Sequence, residues 1–426
     1  MEEYKESGVD WIGKIPIEWE IKHFKNIVSL YNGNSISDSE KEYYEDSTEA
    51  YPYIATKDIN ANTNAIDYNN GLFVKKNDKS FKIAPKNSTL MCIEGGSAGR
   101  KKGFTNQKVA FVNKLCCFHS NSMNNKFIYY YLSSKSYIEN FNQFLTGLIG
   151  GVSLYNLKQF YIVIPSINEQ NMIADFLDEK VGKIDKILEN LNKQVEILNN
   201  FKKSIITETV TKGLNKNVEY KDSKIEWIGI IPTNWKITYN KYIMKKIKNI
   251  KESYENENIL SLTTNGVIIR DKDDNSGKLP ASYDGYQIVK KGNLLMCLFD
   301  IDVTPRCVGL IKNNGLTSPA YSQFELINGN IANYYYYYYL MVDNTKELLH
   351  LAKNLRHSLT ETDFGSIKTI QPPIEEQIEI SNYLDKKCKK IDKTIQIKKN
   401  QIDKLENYKK SLIYEYVTGK KRVKEE

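Results

Sequence analysis

The sequence has few of the residues on which catalytic and metal sites usually depend. Its 426 residues include four histidines and six cysteines, and neither type occurs at a spacing that would hold a metal ion. The Walker A motif of nucleotide-binding proteins is absent, and so is the Asn/Asp-Pro-Pro-Tyr/Phe motif of amino-methyltransferases. The histidines also lack serine, cysteine or carboxylate partners at a recognisable spacing. These absences predict that the chain is not an enzyme.

Long apolar runs are absent as well. None reaches the roughly 20 residues that a membrane-spanning helix needs, and the N-terminus, Met1 to Tyr4, does not resemble a signal peptide. The sequence therefore predicts a cytoplasmic protein that makes no contact with a membrane. Cys116 and Cys117 lie together in an apolar run, which favours buried, inert thiols. The net charge of +8 leans towards a polyanionic partner but is too small for this length to decide the matter.

An internal repeat is the strongest pattern in the sequence. The stretch from Ile167 to Thr211 returns 207 residues later, from Ile374 to Thr418, and a glycine follows each copy, at Gly213 and Gly419. The match has no gap: Leu177-Asp178 corresponds to Leu384-Asp385, and Lys202-Lys203-Ser204 corresponds to Lys409-Lys410-Ser411. Such a match across about 45 residues indicates duplication of a structural unit.

Each copy of this stretch has the pattern of a long helix. Apolar residues recur in steps of three and four, at 177, 181, 184, 188, 191, 195, 198 and 205, and then at 384, 388, 391, 395, 402 and 405. This narrow stripe is typical of a coiled-coil seam. Lys398 interrupts the second seam where the first has Leu191. A helix with so narrow a stripe needs a partner; since the two seams match in length and register, we expect them to pair within the chain, and a dimerisation arm is the alternative.

A second repeat precedes each globular region. Trp11-Ile12-Gly13-Lys14-Ile15-Pro16, followed by Trp19, returns 216 residues later as Trp227-Ile228-Gly229-Ile230-Ile231-Pro232, followed by Trp235. We call the stretches 4–19 and 220–235 the clamps, and expect them to be extended, with their tryptophans packed in a core. The regions that follow, about 20–162 and 236–370, contain short β-type runs and then a tyrosine-rich helical run. They predict irregular, mostly β domains.

The order of clamp, variable domain and helix thus occurs twice. This order predicts an α+β protein divided at 1–164, 165–214, 215–371 and 372–426. The shared parts have the character of a scaffold, and the divergent parts that of two different binding domains.

Together these features resemble the specificity subunits of type I restriction–modification systems, the family usually called HsdS. The resemblance rests on the two tryptophan motifs, on the Glu-Gln pairs that follow Pro165 and Pro372, and on the duplicated order, and it covers essentially the whole chain. It implies two mixed, mostly β target-recognition domains separated by two long antiparallel coiled-coil helices with an internal pseudo-twofold repeat.

The resemblance also implies the function. The chain would be a non-catalytic subunit that reads an asymmetric bipartite site in double-stranded DNA, docks two methyltransferase subunits on its helices, and joins restriction subunits where these are present. No cofactor is expected in this chain; S-adenosylmethionine would belong to the methyltransferase, and ATP and Mg²⁺ to the restriction subunit. The alternatives are a long coiled-coil scaffold that binds no nucleic acid, and a recognition module of a stand-alone restriction–methylation enzyme.

Recognition of DNA requires cations for the phosphates and loop side chains for the base edges. The flexible loop 95–99 before Arg100 is compatible with a phosphate contact and equally with a plain β-turn. The first domain offers as DNA-binding candidates Lys75, Lys76, Lys79, Lys82, Arg100, Lys101 and Lys102. The second domain offers Arg270, Lys272, Lys278, Arg306, Lys353, Arg356 and His357. An acidic run between Asp38 and Glu49 should face away from DNA, because it would repel phosphate.

The two offsets also predict how the chain ends are arranged. The first helix runs through Gly213 into the second clamp at Tyr220, whereas no clamp follows Gly419. The equivalent clamp begins at Tyr4. If the two halves are related by a rotation, the first clamp must pack against the end of the second helix.

Overall fold

The computed structural model describes residues 3–147, 150–271, 280, 282–352 and 357–423. The chain divides into two compact units, Met1–Asn192 with Lys399–Glu426, and Lys193–Lys398. We call them unit 1 and unit 2. Each contains one clamp, one globular domain, the first half of one long helix and the second half of the other.

Unit 1 is built from twelve described strands, three short helices and the start of a long one. The strands are β1 (Tyr4–Glu6), β2 (Lys14–Pro16), β3 (Glu20–His23), β4 (Ser29–Asn32), β5 (Ala50–Ile54), β6 (Phe73–Lys75), β7 (Ile83–Ala84), β8 (Thr89–Cys92), β9 (Lys102–Phe104), β10 (Val109–Phe111), β11 (Leu115–His119) and β12 (Tyr161–Ile164). The helices are α1 (Asn125–Ser133), α2 (Lys135–Gln143), α3 (Leu154–Gln159) and the long α4 (Ile167–Lys212).

Unit 2 repeats this plan. Its strands are β13 (Tyr220–Asp222), β14 (Ile230–Pro232), β15 (Lys236–Tyr239), β16 (Met244–Ile247), β17 (Leu260–Thr263), β18 (Gly266–Ile269), β19 (Gln287–Val289), β20 (Leu294–Met296), β21 (Val308–Leu310), β22 (Gly315–Thr317), β23 (Ser322–Leu326) and β24 (Lys368–Gln371). Its helices are α5 (Ala332–Asn344), α6 (Glu347–Leu351), α7 (Glu361–Gly365) and the long α8 (Ile374–Val417). Short 3-10 helices cover Phe24–Asn26, Asp38–Tyr44, Thr56–Asp58 and Asn240–Tyr242.

The main sheets of the two units have the same strand order. In unit 1 it is β4-β11-β8-β9, and in unit 2 it is β16-β23-β20-β21. A second sheet in unit 1, β6-β5-β10-β7, is mixed, because β10 lies parallel to β5. The prediction of two mostly β domains of shared plan is therefore confirmed.

Both predicted helices form at the predicted places. α4 and α8 begin just after Pro165 and Pro373, and glycines follow their ends, where Gly213 and Gly419 both have a φ of 72°. This left-handed conformation terminates a helix and is available to glycine without strain. The seam is fully buried near the start of each helix, for example at Leu177, and half-buried towards the middle.

Within unit 1 the two helices pair in antiparallel fashion. The ring centroids of Phe176 and Tyr416 lie 4.5 Å apart, and Nζ of Lys409 lies 2.5 Å from Oδ1 of Asp185. Position therefore rises along α4 as it falls along α8, which confirms the intramolecular pairing that the matched seams predict.

The pairing in unit 2 has the same direction. Nζ of Lys202 lies 2.6 Å from Oδ1 of Asp392. Lys398, which interrupts the seam, donates a hydrogen bond to the side-chain oxygen of Gln194. A polar pair of this kind inside a coiled coil fixes the register of its helices at some cost in stability.

The clamps are short antiparallel hairpins that attach each domain to a long helix. Strand β1 pairs with β2, and β13 with β14. Trp19 and Trp235 are completely buried, as predicted. Each indole nitrogen also donates a hydrogen bond to a helix-start glutamate: Trp19 to Glu169 at 3.4 Å, and Trp235 to Glu376 at 2.9 Å. Each indole ring is thus buried while its N–H keeps a hydrogen-bond partner.

The glutamine after each of these glutamates joins the helix start to the tyrosine-rich helix. In unit 1, Nε2 of Gln170 donates to the carbonyl of Pro165, and its Oε1 accepts from the backbone N–H of Asn124, both at 2.9 Å. Gln377 makes the same two hydrogen bonds in unit 2. The repeated Glu-Gln pair is thus explained by packing: it orients each domain on its helix.

The N-terminal clamp lies against the end of α8, as the offsets predict. Nζ of Lys420 donates to the carbonyl of Ile12 at 3.0 Å, and Arg422 donates to Glu18 at 2.6 Å and also to Glu169. Gly419 contacts the clamp so closely that a side chain there would collide with Pro16. In unit 1, side-chain contacts therefore connect the clamp to the end of α8. In unit 2, the covalent chain connects the clamp to the end of α4.

Most of the tyrosine-rich run is core. Five of the six tyrosines from Tyr334 to Tyr339 are buried in unit 2, in line with the sequence prediction. All six cysteines are buried thiols, also as predicted. Among the described residues, no helix combines the length and apolar character that crossing a membrane requires.

Candidate nucleic-acid interface

Two equivalent β-hairpins carry candidate arginines in the two units. In the hairpin of β8 and β9, Leu90 lies opposite Gly103; in that of β20 and β21, Leu295 lies opposite Gly309. Both glycines are required by close packing, because a side-chain carbon would collide with Ile66 at the first and with Val267 at the second. The two glycines are therefore equivalent positions, and the two hairpins can be superimposed on them.

This alignment places Arg100 and Arg306 at the same position, three residues before the glycine. A hydrogen bond at the same position in each hairpin confirms the register. The N–H of Cys92 donates to the carbonyl of Lys101, and the N–H of Cys297 donates to that of Cys307, each at 2.9 Å. Both arginines thus stand where the hairpin loop returns to the sheet.

A second loop lies beside each hairpin loop. In unit 1 the N–H of Val152 donates to the carbonyl of Ile93 at 2.9 Å, and in unit 2 the N–H of Leu359 donates to that of Leu298 at 2.8 Å. Each second loop then enters a short helix, α3 or α7, whose N-terminus is capped by a serine or threonine. We call these pairs of loops the paired-loop edges: 93–100 with the described part of 146–152 in unit 1, and 298–306 with 357–359 in unit 2.

The edge of unit 1 borders a cleft of about 460 Å³. Its described lining comes from both loops and includes Glu94, Thr146, Gly151 and Ser153, with Asn32 from β4. The mixture of carboxylate, hydroxyl, amide and backbone groups suits hydrogen bonding to a polar ligand such as a base edge.

The edge of unit 2 holds two residues in an unusual backbone conformation. Asp300 has a φ of 46° and His357 a φ of 45°, in the left-handed region that side chains other than glycine rarely adopt. In addition, Nδ1 of His357 is buried and has no hydrogen-bond partner in the described part of the chain. Strained backbone conformations cluster at functional sites, and a buried polar atom without a partner requires a specific explanation.

The predicted cations of the first hairpin have different environments. Arg100 is exposed, and its guanidinium donates to the carbonyl of Gly96. Lys101 is half-buried and donates to the carbonyl of Thr56 at 2.9 Å. Lys102 is buried, and Nζ donates to the carbonyl of Leu132 at 3.1 Å. Arg100 and Lys101 therefore belong to the edge, whereas Lys102 is a core residue and not a surface cation.

Lys75 and its neighbours lie on another surface of unit 1. Nζ of Lys75 is 2.5 Å from Oδ2 of Asp46, and the N–H of Lys76 donates to the carbonyl of Glu49. The Lys75 ammonium holds the pKa of Asp46 well below its usual range. Lys79 and Lys82 are exposed nearby along the chain. The acidic run thus lies beside the first two lysines, so the expectations that the lysines face DNA and that the acidic run faces away from it conflict.

The remaining candidates belong to unit 2. Arg270 follows β18 and is half-buried, with its N–H donating to the carbonyl of Ile259 at 2.7 Å. Arg306 and His357 lie on the paired-loop edge. Four others lie outside the described residues, namely Lys272, Lys278, Lys353 and Arg356.

Sequence reasoning missed the residue that holds Arg306. Nη1 of Arg306 donates to Oδ2 of Asp343 at 3.2 Å and to Oδ1 of Asn344 at 3.4 Å. The side chain of Asp343 is only 2% exposed, and no sequence signal connects residues so far apart in the chain. At the edge of unit 2, Arg306 is therefore held in place by hydrogen bonds to Asp343 and Asn344. At the edge of unit 1, Arg100 is exposed.

Comparisons with known proteins agree on one family. The family described as "Type I restriction modification DNA specificity domain" matches residues 16–197 and 304–407. The chain is 26% identical to the type I restriction enzyme MjaVIII specificity subunit of Methanocaldococcus jannaschii, over 96% of this chain and 95% of that protein. It is 24% identical to the type I restriction enzyme StySPI specificity subunit of Salmonella potsdam, over 50% of this chain and 47% of the relative.

A solved structure shares the fold. It is described as "Structural basis underlying complex assembly and conformational transition of the type I R-M system", and one of its chains matches with a TM-score of 0.68, covering 95% of this chain and 98% of that one. The sequence identity is 9%, so this likeness concerns the fold alone.

Proposed function

Because this chain belongs to the type I restriction–modification DNA specificity family, we propose that it recognises an asymmetric, bipartite site in double-stranded DNA. The observation that carries the proposal is the pair of equivalent edges, one in each unit, with different side chains. The edge of unit 1 has the glycine-rich loop before Arg100, and that of unit 2 has Arg306 bound to Asp343. Two edges with the same plan and different chemistry would read two different half-sites, since base-edge contacts determine specificity.

The same chain would also assemble two methyltransferase subunits. Phe201 on α4 is 53% exposed, and Tyr408 on α8 is 57% exposed. These positions are 207 residues apart, so they are equivalent in the repeat, and each unit carries one of them. Exposed aromatic side chains are frequent anchors of protein interfaces. Two equivalent anchors support two copies of the same partner.

In this proposal the chain itself transfers no methyl group and cuts no DNA. S-adenosylmethionine would be bound by the methyltransferase subunits, and ATP and Mg²⁺ by restriction subunits where these are present. The contribution of this chain is to select the site and to hold the partners there.

The test is methylation by the purified chain, by the methyltransferase subunit, and by their complex. We expect labelled methyl groups to enter DNA only with the complex, and sequencing of the methylated bases to return two different half-sites around a constant gap. A symmetric motif would contradict the asymmetric reading. A complex that assembles but shifts no duplex in a gel would instead favour a scaffold without a nucleic-acid ligand.

A further inference from the structure

We propose that Arg306, oriented by Asp343, reads a guanine in one half-site, and that Arg100 has the equivalent role in the other half-site. This inference rests on the proposed function and names the residues that would determine specificity within it. Arginine donating two hydrogen bonds to O6 and N7 of guanine is the commonest specific contact between proteins and the major groove.

The first support is the geometry of the Arg306 side chain. Both of its contacts to Asp343 and Asn344 use Nη1, so among the described residues Nε and Nη2 have no acceptor and retain donors for a ligand. The Arg306 side chain is 21% exposed, whereas that of Asp343 is 2% exposed. One end of the guanidinium is therefore held inside the domain, and the exposed part is available at the edge.

The second support is the rigidity of Asp343. Its Oδ2 also accepts a hydrogen bond of 3.1 Å from the backbone N–H of Cys307, and Nζ of Lys346 lies 3.4 Å from its Oδ1. A buried carboxylate bound by backbone and by two cations has little freedom. Arg306 is thereby preorganised, and less side-chain entropy is lost when it binds a base.

The third support is the equivalence with unit 1. A purely structural ion pair would explain Arg306, but it would not explain an arginine at the same hairpin position in unit 1. There the position 207 residues before Asp343 is Ser136, which has no charge, and Arg100 is exposed. An arginine is thus present in both units, while among the described residues a carboxylate is bonded to Arg306 and not to Arg100.

The fourth support is the surroundings of Arg306. The N–H of Ile301, in the same hairpin loop, donates to the carbonyl of His357 at 3.2 Å. His357 has a left-handed backbone conformation, and its Nδ1 has no hydrogen-bond partner among the described residues. Arg306 and His357 therefore lie on one edge that carries both strain and unused hydrogen-bonding capacity.

The experiment compares methylation motifs made by the complex of this chain with its methyltransferase. The variants are Arg306→Lys, Arg306→Ala, Arg100→Lys and Arg100→Ala, and the matched control is Lys245→Ala. Lys245 lies in unit 2 on β16 and has a side chain that is 62% exposed. The control thus removes one positive charge from the same unit away from the edge.

We expect each Arg306 variant to relax one guanine position in a single half-site and to leave the other half-site and the gap unchanged. Discrimination at that position should fall roughly 5- to 150-fold, the range that one bidentate contact supplies. The Arg100 variants should relax one position in the other half-site. Arg→Lys is informative because lysine retains the charge for a phosphate but not the two-pronged geometry.

Asp343→Asn tests the positioning role. It should relax the same position as Arg306→Ala, and the double variant should be no worse at that position than Arg306→Ala alone. A general loss of methylation at every site, with an unchanged motif, would overturn base reading by Arg306, and so would an unchanged motif at normal rate. If the wild-type complex itself returned no bipartite motif, the proposed function would be wrong, and this outcome is distinct because it needs no variant.

Discussion

The hydroxyl of Tyr337 donates a hydrogen bond of 2.8 Å to Oδ1 of Asp385. The equivalent bond, 207 residues earlier, joins Tyr130 to Asp178 in unit 1 at 2.5 Å. Burial and the adjacent carboxylate raise the pKa of both tyrosines, so each hydroxyl remains a donor at physiological pH. Each bond attaches the tyrosine-rich helix of a domain to a long helix and thereby holds the domain on the scaffold.

Replacement of Tyr337 by phenylalanine should destabilise unit 2 by about 1–2 kcal/mol, because the bond to a charged acceptor is lost while Asp385 remains partly desolvated. Asp385 keeps one bond, from Nδ2 of Asn333 at 2.7 Å, which limits the loss. Urea unfolding measures the difference. Tyr336→Phe on the same helix is the control, since within the described residues its hydroxyl makes no hydrogen bond. Equal stability of the two variants would contradict the anchoring role.

The helices and clamps could be predicted from sequence because they depend on patterns of residues that are close together in the chain. The seam positions repeat every three or four residues, and the clamp tryptophans occur in two matching motifs. The burial of Trp19 follows from the clamp motif, and the pairing of α4 with α8, seen at Asp185 and Lys409, follows from the matched seams. Such features need only periodicity and a known offset.

The candidate site was less accessible to sequence reasoning because it depends on tertiary contacts. Arg306 and Asp343 come from different elements, and Arg100 and Arg306 have different neighbours in sequence. Their equivalence is visible only through the hairpin register. The same limit explains Lys102, which a run of three basic residues suggests is a surface cation, whereas strand β9 directs it into the core.

Lys102 should make the stability of the chain depend on pH. Burial lowers the pKa of Lys102 to about 8 from 10.5. Between these values the unfolded chain binds more protons than the folded chain, so this group's contribution to the free energy of unfolding rises with pH. The full shift corresponds to about 3 kcal/mol.

The measurement is urea unfolding of the wild type and Lys102→Met from pH 7 to 10.5. The stability of the wild type relative to the variant should increase by up to about 3 kcal/mol across this range, while contributions of tyrosines and cysteines cancel in the comparison. Lys79→Met, at an exposed position of unit 1, controls for loss of one positive charge. Parallel curves for wild type and Lys102→Met would show that the lysine is not buried as described. The variant should also keep the DNA motif.

The two exposed aromatic residues on the helices should each control one methyltransferase. Phe201→Asp places a charge at one proposed anchor, and Tyr408→Asp does so at the other. Each single variant should bind one methyltransferase subunit in place of two, and the double variant should bind none, because an unpaired charge at an interface centre is strongly unfavourable.

Native mass spectrometry of the purified complexes gives the stoichiometry directly. Asp403→Ala, at an exposed position of α8, is a suitable control outside the seam. Two subunits bound to the double variant, with unchanged affinity, would remove these residues from the interface. Circular dichroism of each variant should match the wild type, because both side chains lie outside the helix seam.

In unit 1 the clamp is held on the long helix by side-chain contacts. We therefore predict that the covalent connection of the other clamp can be cut without loss of the fold. In unit 2 the covalent chain connects Gly213 to the clamp at Tyr220. In unit 1 the equivalent junction is made by Lys420 and Arg422, which bind the clamp residues Ile12 and Glu18. Gly213 lies against Trp235 and Gly419 against the equivalent Trp19, so exchanging which junction is covalent should leave the fold intact. Proteins whose ends lie close together commonly tolerate such permutation.

A permutant joined from residue 426 to residue 1 by a short Gly/Ser linker, and opened between Asn215 and Lys216, should therefore fold, bind the same methyltransferase and return the same DNA motif. The motif is read by sequencing methylated DNA, as for the wild type. The control is a permutant opened after Glu196, inside α4, which should fail to fold because it interrupts the seam. A soluble, helical permutant opened at Asn215 that read a different sequence would disprove the equivalence of the two junctions. Retention of the motif would show that the second clamp stays packed on α4 when no covalent connection joins Gly213 to Tyr220.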